Sequence, residues 1–307
     1  LAYFKSFGFA DIDAQTPMQK DNIFRLASMT KAITSVGAMI LYERGLFQLN
    51  DPVSKFIPEF ADMTVVSEVD TNGDVSATVP ATEQIKIIDL FTHSSGISYP
   101  FASNNLQKTY VDAGVIDGLT SKDITLAAQM ELLAQQPLLF EPGSDYVYGL
   151  GLDLLGYLIE VVSGKSLELF FSEEIFTPLN MRDSYFYLPE SKFNRLATLY
   201  SEVDEDQLTV SQGHESNIIL DNPRYPAGNG QSYFSGGAGV SSTAYDYARF
   251  IQMLLNNGEL DGSRILGRKS VELMQSPRID CDGDQVPDFG LGFDIIVDPA
   301  EAGELGA

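Results

Sequence analysis

The run from residue 23 to residue 45, IFRLASMTKAITSVGAMILYERG, constrains the fold more than any other stretch of the chain. Apolar residues recur in it at helical spacing, and small or apolar residues cover nearly every face. A helix that is apolar on almost all sides belongs inside a protein rather than on its surface. The pattern therefore predicts an extended lead-in followed by a buried helix that ends near Gly45, a natural C-cap.

One polar pair interrupts this helix, with Ser28 at its start and Lys31 one turn later. Side chains at positions i and i+3 adjoin on a helix, so the two are expected to meet. A lysine in a core needs partners or loses its charge readily, and a serine nucleophile needs a neighbouring base. An S-x-x-K pattern arises by chance about once in a chain of this length, so other motifs must decide whether the pair is catalytic.

Composition narrows the possible functions. The chain has 307 residues, 44% of them hydrophobic and 20% charged, which is ordinary for a globular protein. Its net charge of −24 argues against nucleic acid and anionic membranes as partners, because both require clustered Lys and Arg. The single Cys281 leaves no internal disulfide, and no run of 18 apolar residues predicts a membrane span. The cellular compartment, bacterial cytoplasm or periplasm, is left open.

The order of the elements predicts one α/β (α+β) catalytic domain over residues 1–307. Strand-like segments lie near both ends, so a sheet region is expected at about 1–55 and 230–307, with a mainly helical region at about 56–229. The predicted strands are 3–9 and 289–297. The predicted helices are 85–91, 123–136, 151–162, 166–175, the segment DYARFIQMLLNNG and 267–275, while 62–84 is polar with a turn at 70–74 and 101–121 is loop.

Other hydrolytic and metal chemistries find little support. The chain has only His93 and His214 and no G-x-S-x-G elbow, so a Ser-His-Asp triad is disfavoured and His93 is interpreted as a structural imidazole. DTNGD at 70–74 and DCDGD at 280–284 lack the spacing of an EF-hand loop and are interpreted as β-turns, with calcium a minor alternative. No H-E-x-x-H motif suggests zinc, and FSGGAGV lacks the lysine of a phosphate-binding loop. We expect no metal and no cofactor.

Four blocks of sequence carry a further signal: FRLASMTKAITSV, LFTHSSGISY, EPGSDYVYGLGLDLLGYLIE and FSGGAGVSSTAYDYARFIQMLLNNGELDGSRIL. In this order they resemble the serine β-lactamase-related hydrolases over nearly all of the chain. They are most similar to the class C β-lactamase-like carboxylesterases (esterase family VIII) and the related transesterases. The resemblance implies a β-lactamase/transpeptidase-like fold, in which helices flank an antiparallel sheet beside a mainly helical region.

The resemblance also implies roles for particular residues. Ser28 would be the nucleophile and Lys31 its basic neighbour. The family's tyrosine follows the Pro-Gly turn after four residues, which places it at Tyr148 and leaves Tyr146 as a packing aromatic. Whether Lys31 or Tyr148 acts as the base stays open.

The chain departs from the lactamase pattern at the tyrosine motif. β-Lactamases and carboxypeptidases carry Tyr-x-Asn there, whereas this chain has Tyr148, Gly149 and Leu150. Leu150 suits an apolar acyl or alkyl group better than an amide, and Leu150, Gly149 and Gly237 are the candidate substrate-binding residues. The family's third motif would lie beyond Ala307, and its sheet requires strands before residue 1. With a first residue that is not Met, this predicts a chain truncated at both ends, without its native N-terminus.

The sequence therefore predicts a serine hydrolase that forms an acyl-enzyme on small carboxylic esters. One alternative is a class C-type β-lactamase or D-Ala-D-Ala carboxypeptidase. Others are an acyltransferase or transesterase, and a sensor that acylates once and stops. The expected partner is a small ester or β-lactam; oligomeric state is not readable.

Overall fold

The buried helix predicted from the sequence is the centre of the structure. In this computed structural model, strand β3 (Ile23–Arg25) leads through a short 3₁₀ turn (Ala27–Met29) into α1 (Thr30–Glu43). Every α1 residue from 30 to 41 is buried. A side chain at Gly37 would press on Phe171, so the glycine lets neighbouring helices pack closely. Met29, counted in the apolar pattern, is instead 49% exposed, because it lies in the 3₁₀ turn ahead of the helix.

The structure describes residues 3–119, 123–204, 207–211, 225–227, 232–284 and 286–297. The other helices are α2 (Ile87–Phe91), α3 (Gln107–Ala113), α4 (Leu126–Leu133), α5 (Gly151–Ser163), α6 (Leu167–Phe171), α7 (Ala244–Leu255) and α8 (Arg268–Met274). The other strands are β1 (Phe9–Asp11), β2 (Thr16–Pro17), β4 (Thr64–Val69), β5 (Val75–Pro80), β6 (Tyr200–Asp204), β7 (Gln207–Val210), β8 (Ser241–Thr243), β9 (Glu259–Leu260) and β10 (Ser263–Arg264). None of the described helices combines the length and apolar character that crossing a membrane requires.

Strand pairing joins the early part of the chain to its late part. β3 pairs antiparallel with β8, with Ile23 opposite Thr243 and Arg25 opposite Ser241. The pairing brings the glycine-rich turn Ser235–Gly239, just before β8, against the first turns of α1 and α5. The division into a sheet region and a helical region remains a prediction.

Most helices form where the pattern predicts them, and their caps explain the boundaries. The Thr243 hydroxyl accepts the Asp246 N–H, which caps the first turn of α7. Thr125 caps α4 in the same way, so that helix is shorter than the predicted 123–136. The predicted helix 166–175 is α6 followed by a π turn at Ser172–Phe176.

Three predictions about local structure are wrong. Residues 3–8 form no strand, because none of the described segments pairs with them, and β1 begins only at Phe9. Residues 289–297 make isolated bridges instead of a strand. The stretch 101–121, predicted as loop, contains helix α3. The polar stretch 62–84, for which no strand was predicted, is the β4–β5 hairpin. The turn predicted at 70–74 is confirmed as the connection of that hairpin, with Asp70 accepting two backbone N–H groups.

Candidate active site

Ser28 is exposed at the beginning of α1, on a turn that the backbone of Val240 holds from both sides. The Leu26 N–H donates to the Val240 carbonyl at 2.9 Å, and the Val240 N–H donates to Thr30 Oγ1 at 3.1 Å. Ala27, next to the serine, adopts φ of 44°, a left-handed conformation that is unfavourable for a residue with a Cβ. The serine hydroxyl therefore stands at the positive end of a buried helix, where backbone N–H groups can stabilise an oxyanion.

Lys31 is buried, with 5% of its surface exposed, and its ammonium nitrogen has three hydrogen-bond partners in the described residues. Nζ lies 3.2 Å from Ser28 Oγ, 2.9 Å from the Tyr99 hydroxyl and 2.9 Å from the Gly237 carbonyl oxygen. The predicted contact between Ser28 and Lys31 is thus confirmed. Three partners satisfy the three donors of a charged lysine, which explains how the core holds it.

The identity of these partners limits what a neutral Lys31 can do. The Gly237 carbonyl can only accept, so the lone pair of a neutral amine must face either Ser28 or Tyr99. Burial, then the charge of Asp153, raises the pKa of Tyr99 well above its usual range, so Tyr99 keeps its proton. Lys31 can take a proton from Ser28 when Tyr99 accepts one of its N–H groups.

Tyr148 reaches Lys31 with the face of its ring. The ring centroid is 4.6 Å from Nζ, a cation–π distance, and 38% of the residue is exposed. The ring centroids of Tyr99 and Tyr148 are 5.8 Å apart. Tyr148 therefore lies in the site as predicted, but its hydroxyl is not among the hydrogen-bond partners of Lys31.

His93 packs against the Tyr148 ring and binds the backbone of the next residue. It is 2% exposed, its Nδ1 accepts the Gly149 N–H at 3.3 Å, and its ring lies 4.5 Å from the Tyr148 ring. Burial, and then the charge of Lys31, lowers the pKa of His93 to about 3, so the imidazole is neutral at physiological pH. His93 is thus buried and hydrogen-bonded, as expected of a structural imidazole, and its role stays a prediction; His214 lies outside the described residues.

Comparison with known proteins identifies the family. The Beta-lactamase family matches residues 1–302. The chain belongs to this family. Esterase EstB of Burkholderia gladioli is 30% identical over 99% of this chain and 74% of its own length. An uncharacterized protein of Mycobacterium tuberculosis is 34% identical over the same shares, 99% and 74%.

Solved structures agree with the family assignment. EstCE1, described as a hydrolase with promiscuous acyltransferase activity, superposes with a TM-score of 0.81 and is 29% identical over 98% of this chain and 76% of its own. A penicillin-binding protein homologue from Pyrococcus abyssi, 24% identical over 93% of this chain and 56% of its own, shares the fold with a TM-score of 0.65. The predicted fold class and the prediction of a β-lactamase-related serine hydrolase are confirmed.

The three candidate substrate-binding residues lie deeper than the sequence suggested. Leu150 has no exposed surface and belongs to the apolar core, and a Cβ at Gly149 would overlap the Ile97 carbonyl. Gly237 lies behind Lys31, and its carbonyl accepts a hydrogen bond from the lysine. Their roles in binding substrate remain predictions, and the burial of Leu150 does not support its contact with an acyl group.

Tyr99 is the residue that sequence reasoning missed. It lies at the end of the LFTHSSGISY block, whereas the sequence pattern points to the tyrosines after the Pro-Gly turn. Four other hydroxyl residues stand in the same block, so nothing in the sequence distinguishes Tyr99 as the partner of the lysine without the fold.

Proposed function

We propose that this chain is a serine carboxylesterase that acts through an acyl-enzyme at Ser28. One observation carries the proposal: an exposed serine at the N-terminus of a buried helix has its Oγ 3.2 Å from the nitrogen of a buried lysine. Nucleophile and base thus stand at the distance that general-base activation requires. The similarity to a named esterase and to a named hydrolase supports the same reaction class.

In the proposed reaction, Ser28 Oγ attacks the ester carbonyl carbon while its proton passes to Lys31. The carbonyl oxygen becomes an oxyanion, which the N-terminus of α1 stabilises. When the ester C–O bond breaks, the leaving alkoxide takes a proton, for which the exposed Tyr148 hydroxyl is the proposed donor. The proton that Lys31 took then passes through solvent to Tyr148, which restores both groups. Water attacks the acyl-enzyme, its oxygen becomes part of the carboxylic acid, and one of its protons returns to Ser28 Oγ as the acyl C–O bond breaks.

Acyl transfer is the second candidate, because relatives with acyltransferase names match much of the chain. The acyltransferase mokF of Monascus pilosus is 31% identical over 86% of this chain and 59% of its own length. An alcohol would then replace water in the second step. β-Lactam hydrolysis is less favoured, because Leu150 stands where lactamases carry the asparagine that holds an amide.

The test compares p-nitrophenyl butyrate and nitrocefin on one preparation of the protein. We expect the ester to be the better substrate by kcat/KM, and Ser28→Ala to lower kcat by about three orders of magnitude or more. Ser54→Ala is the control, since that hydroxyl bonds only to Gln84 among the described residues. A fluorophosphonate should label Ser28 and no other serine.

Three results would contradict the proposal. Nitrocefin turnover that equals the ester would favour a lactamase, and one stoichiometric burst without turnover would favour a sensor. Activity that survives Ser28→Ala within tenfold would remove Ser28 as the nucleophile. Added alcohols that compete with water for the acyl group would identify the acyltransferase.

A further inference from the structure

Behind the catalytic lysine lies a carboxylate that the proposed reaction does not use. Asp153, in the first turn of α5, has no exposed surface. Ser235 Oγ donates to its Oδ1 at 2.5 Å, and the Ala238 N–H donates to that same Oγ at 3.0 Å. The single hydroxyl proton of Ser235 is therefore committed to Asp153, in the short geometry typical of a charged acceptor.

The other carboxylate oxygen faces the groups that hold Lys31. Asp153 Oδ2 is buried and makes no well-aligned hydrogen bond with any residue that the structure describes. A Cβ at Gly237 would overlap this oxygen and would lie 3.3 Å from the Tyr99 hydroxyl. Gly237 and Tyr99 are two of the three hydrogen-bond partners of Lys31, so the Asp153 carboxylate lies next to both of them.

The Ser235–Gly239 turn carries the Gly237 carbonyl that accepts a hydrogen bond from Lys31. If the turn moved away from Asp153, this carbonyl would move with it. Thr34 Oγ1 on α1 donates to the Gly236 carbonyl at 2.6 Å. On the other side, a Cβ at Gly236 would overlap the Leu152 carbonyl of α5. The turn thus packs closely between α1 and α5, and the Ser235 hydroxyl binds it to Asp153.

The surroundings of Asp153 oppose one another in their effect on its charge. Burial raises the pKa of Asp153, while the Ser235 hydroxyl, the charge of Lys31 and the Gly237 backbone lower it. The N-terminus of α5 also favours an anion.

The other titratable groups around the pair are mostly uncharged. Those that face Asp153 are Tyr99, Tyr225 and Tyr233, and those that face Lys31 are Tyr99, Tyr148 and His93. Tyrosines and a buried imidazole carry no charge at physiological pH. Asp117 is a second carboxylate nearby, and its charge raises the pKa of Tyr99 less than that of Asp153 does. Asp153 is coupled electrostatically to Lys31 and lies beside two of its hydrogen-bond partners.

We propose that Asp153 is a positioning residue for Lys31. It anchors the turn whose Gly237 carbonyl receives the lysine, and it supplies the buried negative charge that favours the protonated amine. The inference rests on the proposed function, because it assigns Asp153 a role in the proton transfer at Ser28.

The test is Asp153→Asn, which keeps the side-chain shape and removes the charge. Because Asp153 and Lys31 interact electrostatically, loss of the carboxylate favours the neutral amine, so the acid limb of the kcat/KM profile should move to lower pH. We expect kcat at the optimum to fall about tenfold with KM within threefold, since a mispositioned base affects the transition state rather than binding.

Asp246→Asn is the matched control. Asp246 also lies in the first turn of a helix, is 4% exposed and accepts a serine hydroxyl, that of Ser184, but contacts neither Lys31 nor Gly237. Its loss should lower the melting temperature by a similar amount and leave the pH profile unchanged. If Asp153→Asn does not fold, Ser235→Ala removes only the anchoring hydroxyl and should move the acid limb in the same direction by a smaller step.

A second measurement separates this inference from the proposed function. The ¹⁵N chemical shift of Lys31 Nζ reports the surroundings of the amine without any substrate, and it should change in Asp153→Asn and stay fixed in Asp246→Asn. Equal chemical shifts in wild type and Asp153→Asn would overturn the role of Asp153, whatever the esterase assays show. A changed chemical shift in a protein without esterase activity would overturn the proposed function and leave the coupling in place.

Discussion

Residues 93–101 and residues 142–150 each bring a tyrosine to Lys31, and they present it in different ways. In the first segment, residues 93–100 are buried, Tyr99 is 3% exposed, and its hydroxyl lies 2.9 Å from Nζ. In the second, Tyr148 is 38% exposed and meets Nζ with its ring face at 4.6 Å. The hydrogen bond from the Gly149 N–H to His93 Nδ1 joins the two segments.

The difference in exposure indicates different roles for Tyr99 and Tyr148. A buried hydroxyl with a fixed partner can hold the lysine in place but cannot reach a substrate outside the core. An exposed hydroxyl beside the lysine can meet the leaving group of a bound ester. Exposure, more than proximity to the lysine, is therefore the ground on which we assign Tyr99 to holding the lysine and Tyr148 to the proposed proton transfer.

Among the tyrosine variants, Tyr148→Phe should have the largest effect on kcat. It removes the proposed proton donor and keeps the ring that packs on Lys31 and His93, so stability should change little while kcat falls about 10²-fold. Steady-state kinetics on p-nitrophenyl butyrate and a thermal melt measure the two effects. A kcat within threefold of wild type would show that the exposed segment does not react, and the comparison would fail.

His93→Gln should change the pH dependence of stability. An unfolded His93 binds a proton as pH falls through about 6.5, whereas the folded one does not until about pH 3, so the native state loses stability as pH falls. Between pH 6.5 and pH 5 the loss is roughly 1.6 kcal/mol, about 16-fold in the folding equilibrium, and the glutamine variant should not show it. Urea melts at both pH values measure the difference between variant and wild type. An equal slope in both proteins would mean that His93 does not fold as a neutral, buried group.

Tyr99→Phe should lower kcat about tenfold, because Lys31 loses one of three hydrogen bonds but keeps its contact with Ser28. Tyr110→Phe is the matched control, since Tyr110 is also fully buried and donates one hydrogen bond, to the Pro137 carbonyl. Both variants should melt at similar temperatures, and only the first should lose activity. A greater loss in Tyr99→Phe than in Tyr148→Phe would reverse the assigned roles.

Tyr146→Phe should have the smallest effect, about twofold or less in kcat. Its ring packs at 5.9 Å from His93 and 5.6 Å from Phe289, contacts that phenylalanine keeps. A large loss of kcat in Tyr146→Phe, together with an unchanged kcat in Tyr148→Phe, would show that Tyr146 and not Tyr148 is the tyrosine of the family's motif. Parallel kinetics on the two variants decide it.

The features that could be predicted are local in sequence. Ser28 and Lys31 are three residues apart, and helical periodicity alone places them together and buries the lysine. Tyr99 and Gly237 reach the same nitrogen from 68 and 206 residues away, and no periodicity encodes such a contact. Helix α3 was missed for a related reason: it is seven residues long, and its burial depends on Tyr110, which is apolar only in the packed core.

The strand predicted at residues 3–9 shows the converse error. Period-2 alternation is necessary for a half-buried strand, but a strand also requires a partner, and none of the described segments pairs with residues 3–8. The burial of Leu150 could not be predicted for a similar reason, because a motif position says which loop a residue occupies and not whether its side chain faces solvent or core.

The two hydrogen bonds that the Val240 backbone makes with the turn around Ser28 have a consequence for the folding of the chain. The contacts that fix the first turn of α1, from Val240 to Leu26 and Thr30 and from Gly236 to Thr34, close loops of more than 200 residues. Contacts of such high order form slowly, since loop-closure entropy must be overcome before they stabilise anything. Helix α1 can form early from local periodicity, but Ser28, the proposed nucleophile, takes its place only when the two distant parts of the chain have met. During refolding, esterase activity should therefore return with the slowest phase, after helical circular dichroism has recovered.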